Sequence, residues 1–208
     1  MREIKFFDEK TKKFYKLVKT NTWPTLEISG IHMHRIKGVD PKKDTELKIK
    51  SLGKLYGNVL DTCMGLGYTA VVASKFKKVK MVITIEKDKN VVWIAKQNFY
   101  SKEVFSNKKI KVLIGDSFLL IKTFPSSFFD FIIHDPPRIS IAEELYSLEF
   151  YKEMFRVLKS KGKIFHYVGY PGKKQGKNYL RGILRRLRNA GFSKIEKIEE
   201  ALGLIIRK

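Results

Sequence analysis

Residues 58–70, NVLDTCMGLGYTA, decide the fold. Val59 and Leu60 form a short apolar run that Asp61 closes, and Gly65 and Gly67 then punctuate a turn. From residue 69 the chain (TAVVASKF) has helical character to residue 76. Strand, glycine turn and helix in so few residues form the opening unit of an α/β sheet that binds ligands at its strand ends. Glycine permits both the sharp bend and a close approach of backbone to ligand.

Downstream, the alternation continues. Strands are expected at residues 81–85, 110–114, 129–133 and 162–168, with helices at 89–100, 145–158 and 178–190. In the last of these helices Leu180, Ile183, Leu184 and Leu187 recur at i, i+3, i+4 and i+7, the helical period. Two short strands, near 194–198 and 202–206, close the chain. Strands alternating with helices imply a mainly parallel sheet covered on both faces. Upstream, Asp40-Pro41 is a helix start, an N-cap followed by proline at the first helical position, with the helix running to about residue 55. Residues 25–35 have extended character, and residues 6–19 fit a helix or a short strand pair. The expected division is a basic extension over 1–57 and an α/β domain over 58–208.

The 208 residues include 43 Lys and Arg against 21 Asp and Glu, a formal charge of +22. Solubility needs only about 2–8, so the surplus favours a polyanionic partner such as nucleic acid. A lysine-rich proteome or adaptation to heat or salt is the bland alternative. The one cysteine, Cys63, excludes an internal disulfide framework and fits a reducing cytoplasm. MREIKFFDEK lacks the apolar core of a secretory signal, and no stretch is apolar enough to span a bilayer.

In such sheets ligands lie beyond the carboxyl ends of the strands. The residues just after each strand are Asp61–Thr69, then Glu86 and Lys87, then Asp116 and Ser117, then Asp135, Pro136, Pro137 and Arg138. Four acids thus stand at four consecutive strand ends, and Glu86, placed 25 positions after Asp61, is positioned to accept hydrogen bonds from ribose hydroxyls.

VLDTCMGLGYTA resembles motif I of class I S-adenosylmethionine-dependent methyltransferases: Asp61, Gly65 and Gly67 match, and Cys63 replaces the first glycine. The resemblance implies a seven-stranded Rossmann-like sheet whose last strand is antiparallel. It also implies S-adenosylmethionine as cofactor, with Glu86 on the ribose and Asp116 on the adenine amino group. HDPPR resembles motif IV of enzymes that methylate exocyclic amines, with Arg138 in place of an aromatic residue. Together with FHYVGYPG, these segments resemble a group of archaeal predicted methyltransferases. The expected cofactor-binding set is His34, Asp61, Cys63, Gly65, Gly67, Tyr68, Thr69, Glu86, Lys87, Asp116 and Ser117. The expected catalytic set is Asp135, Pro136, Pro137 and Arg138.

Two basic sets are candidates for gripping RNA: Lys12, Lys13 and Lys16, interleaved with Phe14 and Tyr15, and Lys173, Lys174, Arg181, Arg185 and Arg188. His32, His34, His134 and His166 have no metal-ligand spacing, so no metal is expected. The leading expectation is therefore methyl transfer to an exocyclic base amine of rRNA or tRNA, leaning to cytosine N4. One alternative is an aminopropyltransferase or small-amine methyltransferase on the same fold; the +22 charge weighs against the polycationic substrate of an aminopropyltransferase. The other is a non-catalytic RNA-binding protein with a degenerate cofactor site.

Overall fold

The computed structural model describes residues 3–169 and 175–208. At the N-terminus, β1 (Lys5–Asp8), β2 (Lys13–Val18), β3 (Thr25–Ile28) and β4 (Ile31–His32) form a four-stranded antiparallel meander. Residues 6–19 are thus a strand pair, with Phe6 opposite Tyr15. The reason is period-2 burial: Tyr15 and Leu17 face inward, whereas Phe14 points outward. Thr11 closes the turn by donating through both its amide (2.9 Å) and its hydroxyl (2.6 Å) to Asp8 Oδ2.

Helix α1 (Pro41–Leu52) starts as its sequence demands. Asp40 Oδ1 accepts the Lys43 amide at 3.0 Å, and proline occupies the first turn. It stops three residues earlier than expected because Gly53 turns the backbone left-handed at φ +84°.

The central sheet has seven strands: β5 (Gly57–Asp61), β6 (Val79–Glu86), β7 (Ile110–Ile114), β8 (Phe129–His134), β9 (Leu158–Tyr167), β10 (Lys194–Ile198) and β11 (Gly203–Arg207). Their order is β10-β11-β9-β8-β5-β6-β7. β9, β8, β5, β6 and β7 run parallel, and the last strand, β11, inserts antiparallel between β9 and β10. The Rossmann-like sheet with an antiparallel last strand is the architecture expected from the motifs.

Helices α2 (Tyr68–Ser74), α3 (Lys89–Gln97) and α4 (Lys102–Ser106) share one face with α1 and the small sheet. Helices α5 (Ser117–Leu120), α6 (Leu148–Val157) and α7 (Gln175–Asn189) cover the other. Alternate strand residues divide between the two layers, Val59, Ile133 and Phe165 to the first, Leu60, Ile132 and Ile164 to the second. All six residues of β8 are buried, as suits a central parallel strand. Each fully buried Leu, Ile or Phe contributes about 1.5–3 kcal/mol.

Helix α3 ends before residue 100 because Asn98 turns away to serve as a polar staple. Its buried side-chain amide donates to Tyr68 Oη at 2.8 Å and Ser101 Oγ at 2.7 Å. Helix α6 begins three residues late because Ser147 caps it, its Oγ accepting the Phe150 amide at 3.1 Å. Among the described residues, no helix is long and apolar enough to cross a membrane.

Candidate active site

The cleft at the carboxyl ends of the parallel strands has two halves. The first gathers Asp61, Glu86 and Asp116, from the ends of β5, β6 and β7. Between Asp61 and α2 the chain turns through Gly65 at φ +54° and Gly67 at φ +75°, conformations that suit glycine. A side chain at position 67 would also collide with Val104. Cys63 lies outside the left-handed positions, so its replacement of glycine imposes no such strain. Burial pushes its thiol well above the usual range, which makes it a poor nucleophile.

Glu86 folds back onto this turn. Its Oε2 accepts the Gly65 amide at 3.0 Å and its Oε1 the Asp88 amide at 2.9 Å. Burial raises its pKa against the pull of those amides. A carboxylate offers about four lone-pair sites, so two acceptor sites remain for a ligand. Asp61 Oδ2 accepts from Thr69 Oγ1 (3.0 Å) and Thr84 Oγ1 (2.9 Å), while its Oδ1 is buried without a hydrogen-bond partner. Burial raises the Asp61 carboxyl to about 7.

Asp116 caps α5, its Oδ1 accepting the Phe118 amide at 2.8 Å. Lys87 stands 3.8 Å from the other Asp116 oxygen and 3.2 Å from Glu144, tying this half to the loop after β8. Ser117 donates its hydroxyl to the Thr62 carbonyl and so joins two strand ends. Tyr68 and His34 serve as staples to the small sheet. Tyr68 Oη donates to the Pro24 carbonyl at 2.9 Å, and the His34 ring lies 5.0 Å from the Tyr68 ring. Burial pushes His34 down to about 3, so it is neutral.

The second half centres on Asp135, just past β8. Its Oδ2 lies 2.6 Å from Lys48 Nζ, on α1. Lys48 is only 2% exposed and also sits 2.9 Å from Asp44 Oδ2, one helical turn earlier. Asp44 is fully buried and accepts Arg35 Nε on its other oxygen, while Arg35 Nη2 donates to the Glu200 carbonyl at 2.8 Å. The Tyr167 ring lies 4.7 Å below the Lys48 ammonium. Burial works to lower the Lys48 pKa, but the Asp135 and Asp44 charges outweigh it and hold it above the usual lysine value. Burial raises Asp135, with Lys48 opposing. None of Lys48, Asp44 and Tyr167 was among the site residues expected from sequence. The one signal was the Asp44–Lys48 spacing, set in a run of lysines (PKKDTELKIK) that gives no means of choosing among them.

Pro136 is buried, and the Pro137 carbonyl accepts Tyr146 Oη at 2.8 Å, which anchors the loop. Arg138 is exposed and, among the described residues, makes no ion pair with Glu143 or any other acid. Behind the loop, His134 joins Thr62 Oγ1 (2.8 Å) and the Leu145 carbonyl (3.0 Å), and His166 joins Tyr151 Oη (2.8 Å). His32 pairs with Glu27 at 3.3 Å, away from His34.

The basic sets do not converge. Lys12, Lys13 and Lys16 sit on the β1–β2 hairpin, over the α1–α4 layer, and Lys12 pairs with Glu9 at 2.6 Å. Arg181, Arg185 and Arg188 are exposed on α7, across the central sheet. Lys173 and Lys174 lie outside the described residues.

A family model described as the spermine/spermidine synthase domain matches residues 36–196. The chain is 53% identical over 197 residues to the uncharacterized protein MJ1233 of Methanocaldococcus jannaschii, covering 94% of this chain and 67% of that relative. It is 26% identical over 142 residues to polyamine aminopropyltransferase 2 of Streptomyces coelicolor, covering 65% of this chain but only 26% of that one. Among solved structures, a spermidine synthase in complex with the transition-state analogue AdoDATO aligns with TM-score 0.77 at 16% identity, over 99% of this chain and 72% of the other. At that identity the likeness is one of fold.

The family match overturns the expected methyl transfer to RNA bases, and with it membership of an RNA methyltransferase group and a role in rRNA or tRNA modification. Acids at consecutive strand ends suit a nucleoside, and they are indifferent to which carbon of a sulfonium is transferred. Asp135-Pro136-Pro137 was expected to meet a base amine with free acceptors. Lys48 instead occupies one Asp135 oxygen, and the arginines of α7 and the lysines of the hairpin lie on opposite faces of the sheet.

Proposed function

We propose, from the premise that this chain belongs to the spermine/spermidine synthase family, that it transfers an aminopropyl group from decarboxylated S-adenosylmethionine to an amine nitrogen. The carrying observation is Asp135: one carboxylate oxygen is clamped by Lys48, and the other makes no hydrogen bond among the described residues. That oxygen faces no competitor for an amine N–H.

The residues of the first half fit a nucleoside. Glu86 keeps spare acceptor capacity for ribose hydroxyls, Asp116 stands past the strand end where an adenine amino group would lie, and Gly65 and Gly67 bring backbone without side chains to the end of β5. The family match, rather than these residues, favours decarboxylated S-adenosylmethionine over the S-adenosylmethionine expected from the motifs. When bound, this donor supplies a carbon activated by positively charged sulfur. Asp135 accepts an N–H of the incoming amine and turns the nitrogen lone pair toward that carbon, a gain from orientation. The C–N bond forms as the C–S bond breaks, and the bonding pair stays on sulfur in a neutral thioether. The proton leaves through Asp135 to water.

Incubation of the purified chain with decarboxylated S-adenosylmethionine and a panel of amines, followed by mass spectrometry, tests this. Release of 5′-methylthioadenosine with an alkylated amine is expected. Donor binding without transfer to any amine would overturn the proposal, as would methyl transfer from S-adenosylmethionine alone.

A further inference from the structure

The amine half carries as much positive as negative charge. Asp135 and Asp44 supply two negative charges, and Lys48 and Arg35 supply two positive ones, in one connected chain of ion pairs. Lys48 and Asp44 are 2% and 0% exposed, so this neutralisation is built in and little screened by solvent. The surrounding groups add little negative charge. Tyr167 and His34 are neutral, and Glu144 is taken by Lys87. Asp61, raised to about 7, is part-protonated at neutral pH. Glu143 and Arg138, both exposed on the loop after β8, offset one another in charge. Glu200 meets Arg35 through its backbone carbonyl.

A polyamine brings two or more ammonium groups, and each that enters a cleft needs a carboxylate. The donor proposed above itself carries a sulfonium and a tail ammonium, which draw on the acids of the nucleoside half. Among the described residues, the amine half then keeps no buried unpaired carboxylate for a second ammonium, since Glu143 and Glu200 are both exposed to solvent. Lys48 has a further effect on the reacting nitrogen. A nearby like charge disfavours the ammonium form, so a nitrogen on the open Asp135 oxygen is stabilised as the free amine that attack requires. At long range, the +22 charge repels polycations and draws in molecules bearing an anionic group.

We infer that Lys48, clamped between Asp44 and Asp135, sets the acceptor class: the cleft takes an amine carried on a neutral or anionic molecule, and it discriminates against polyamines. This rests on the aminopropyl-transfer reading and specifies its acceptor.

The test is calorimetric titration, at one pH and low salt, of the full chain saturated with 5′-methylthioadenosine. The probes are 4-aminobutyrate, propylamine, putrescine and spermidine. Binding of 4-aminobutyrate about tenfold tighter than putrescine is expected, the effect of one neighbouring charge. Lys48→Met should reverse that order by freeing the second Asp135 oxygen and leaving the cluster with one negative charge in excess, and Lys48→Arg, which keeps the charge, should preserve it. Tighter binding of putrescine or spermidine by the unaltered chain would overturn the inference, as would no binding of 4-aminobutyrate. An unchanged order in a folded Lys48→Met variant would overturn the role of Lys48. Because the unaltered chain is compared with itself, the first readout does not depend on any variant folding. Failure of the underlying reading shows separately, as no nucleoside binding or no aminopropyl transfer to any amine.

Discussion

The two halves of the cleft handle their acids in opposite ways. In the nucleoside half, Glu86 and Asp61 are met by backbone amides and threonine hydroxyls, with no cation on either among the described residues, and Asp116 alone has a lysine, Lys87, at 3.8 Å. In the amine half, Asp44 and Asp135 are met by Lys48 and Arg35. Dipoles satisfy a carboxylate and leave its charge for a ligand. A buried ammonium cancels that charge while holding the carboxylate in one orientation. On the proposed aminopropyl-transfer reading, the first half holds the donor and the second orients an amine without drawing in cations.

The difference predicts unequal responses to mutation. The largest concerns Asp135. Asp135→Asn should lower kcat/KM for aminopropyl transfer by about 10²–10⁴-fold while leaving 5′-methylthioadenosine affinity unchanged. Transfer at near-normal rate would place the amine elsewhere and dissolve the division. Next comes stability. Lys48→Met removes one of the two cations that hold buried Asp44, leaving Arg35 alone on it, and should cost up to about 3–5 kcal/mol in denaturant unfolding, the loss seen when one partner of a buried pair is removed. Adding Asp44→Asn should recover part of that loss. An additive double variant would mean that Lys48 and Asp44 are not energetically coupled.

A smaller effect is expected in the nucleoside half. Glu86→Ala should weaken 5′-methylthioadenosine by about 1.5–3 kcal/mol, the value of hydrogen bonds to a charged group. The readout is the thermal shift on ligand addition. If that shift is retained, the ribose does not sit on Glu86.

A further effect is a pH slope. Burial lifts the Asp61 pKa from 3.8 to about 7, so between those values the folded state binds more protons than the unfolded one. The contribution of Asp61 to stability must then fall as pH rises through that window. Asp61→Asn lacks the titrating group, so the unaltered chain should lose stability relative to the variant from acid toward neutral pH. Parallel denaturation midpoints across the window would show that Asp61 does not titrate there.

The nucleoside half was legible in the sequence because its parts are local. Gly65 and Gly67 follow Asp61 within six residues, and Glu86 and Asp116 each end a strand marked by its own apolar run. The N-cap at Asp40 and the seven strands were legible for the same reason: period and punctuation are properties of neighbouring residues. Boundaries shifted where a local turn or cap intervened, at Gly53 and Ser147, or where a side chain had found a distant partner, as Asn98 did in Tyr68. The amine half was legible only in Asp135. Lys48 lies 87 positions from Asp135, among 43 Lys and Arg, and nothing in its neighbourhood separates it from Lys42, Lys43 or Lys50.

By itself, then, the sequence determined an α/β sheet with acids at consecutive strand ends, a glycine turn after the first parallel strand, and a large positive charge. Only the tertiary structure decided which lysine is buried, that it pairs with Asp135, and that the hairpin lysines and the α7 arginines lie on opposite faces of the sheet. The physical reason is that helical and strand periods act over a few residues. The burial that distinguishes one lysine from its neighbours exists only once α1 has packed across β9 and the loop after β8.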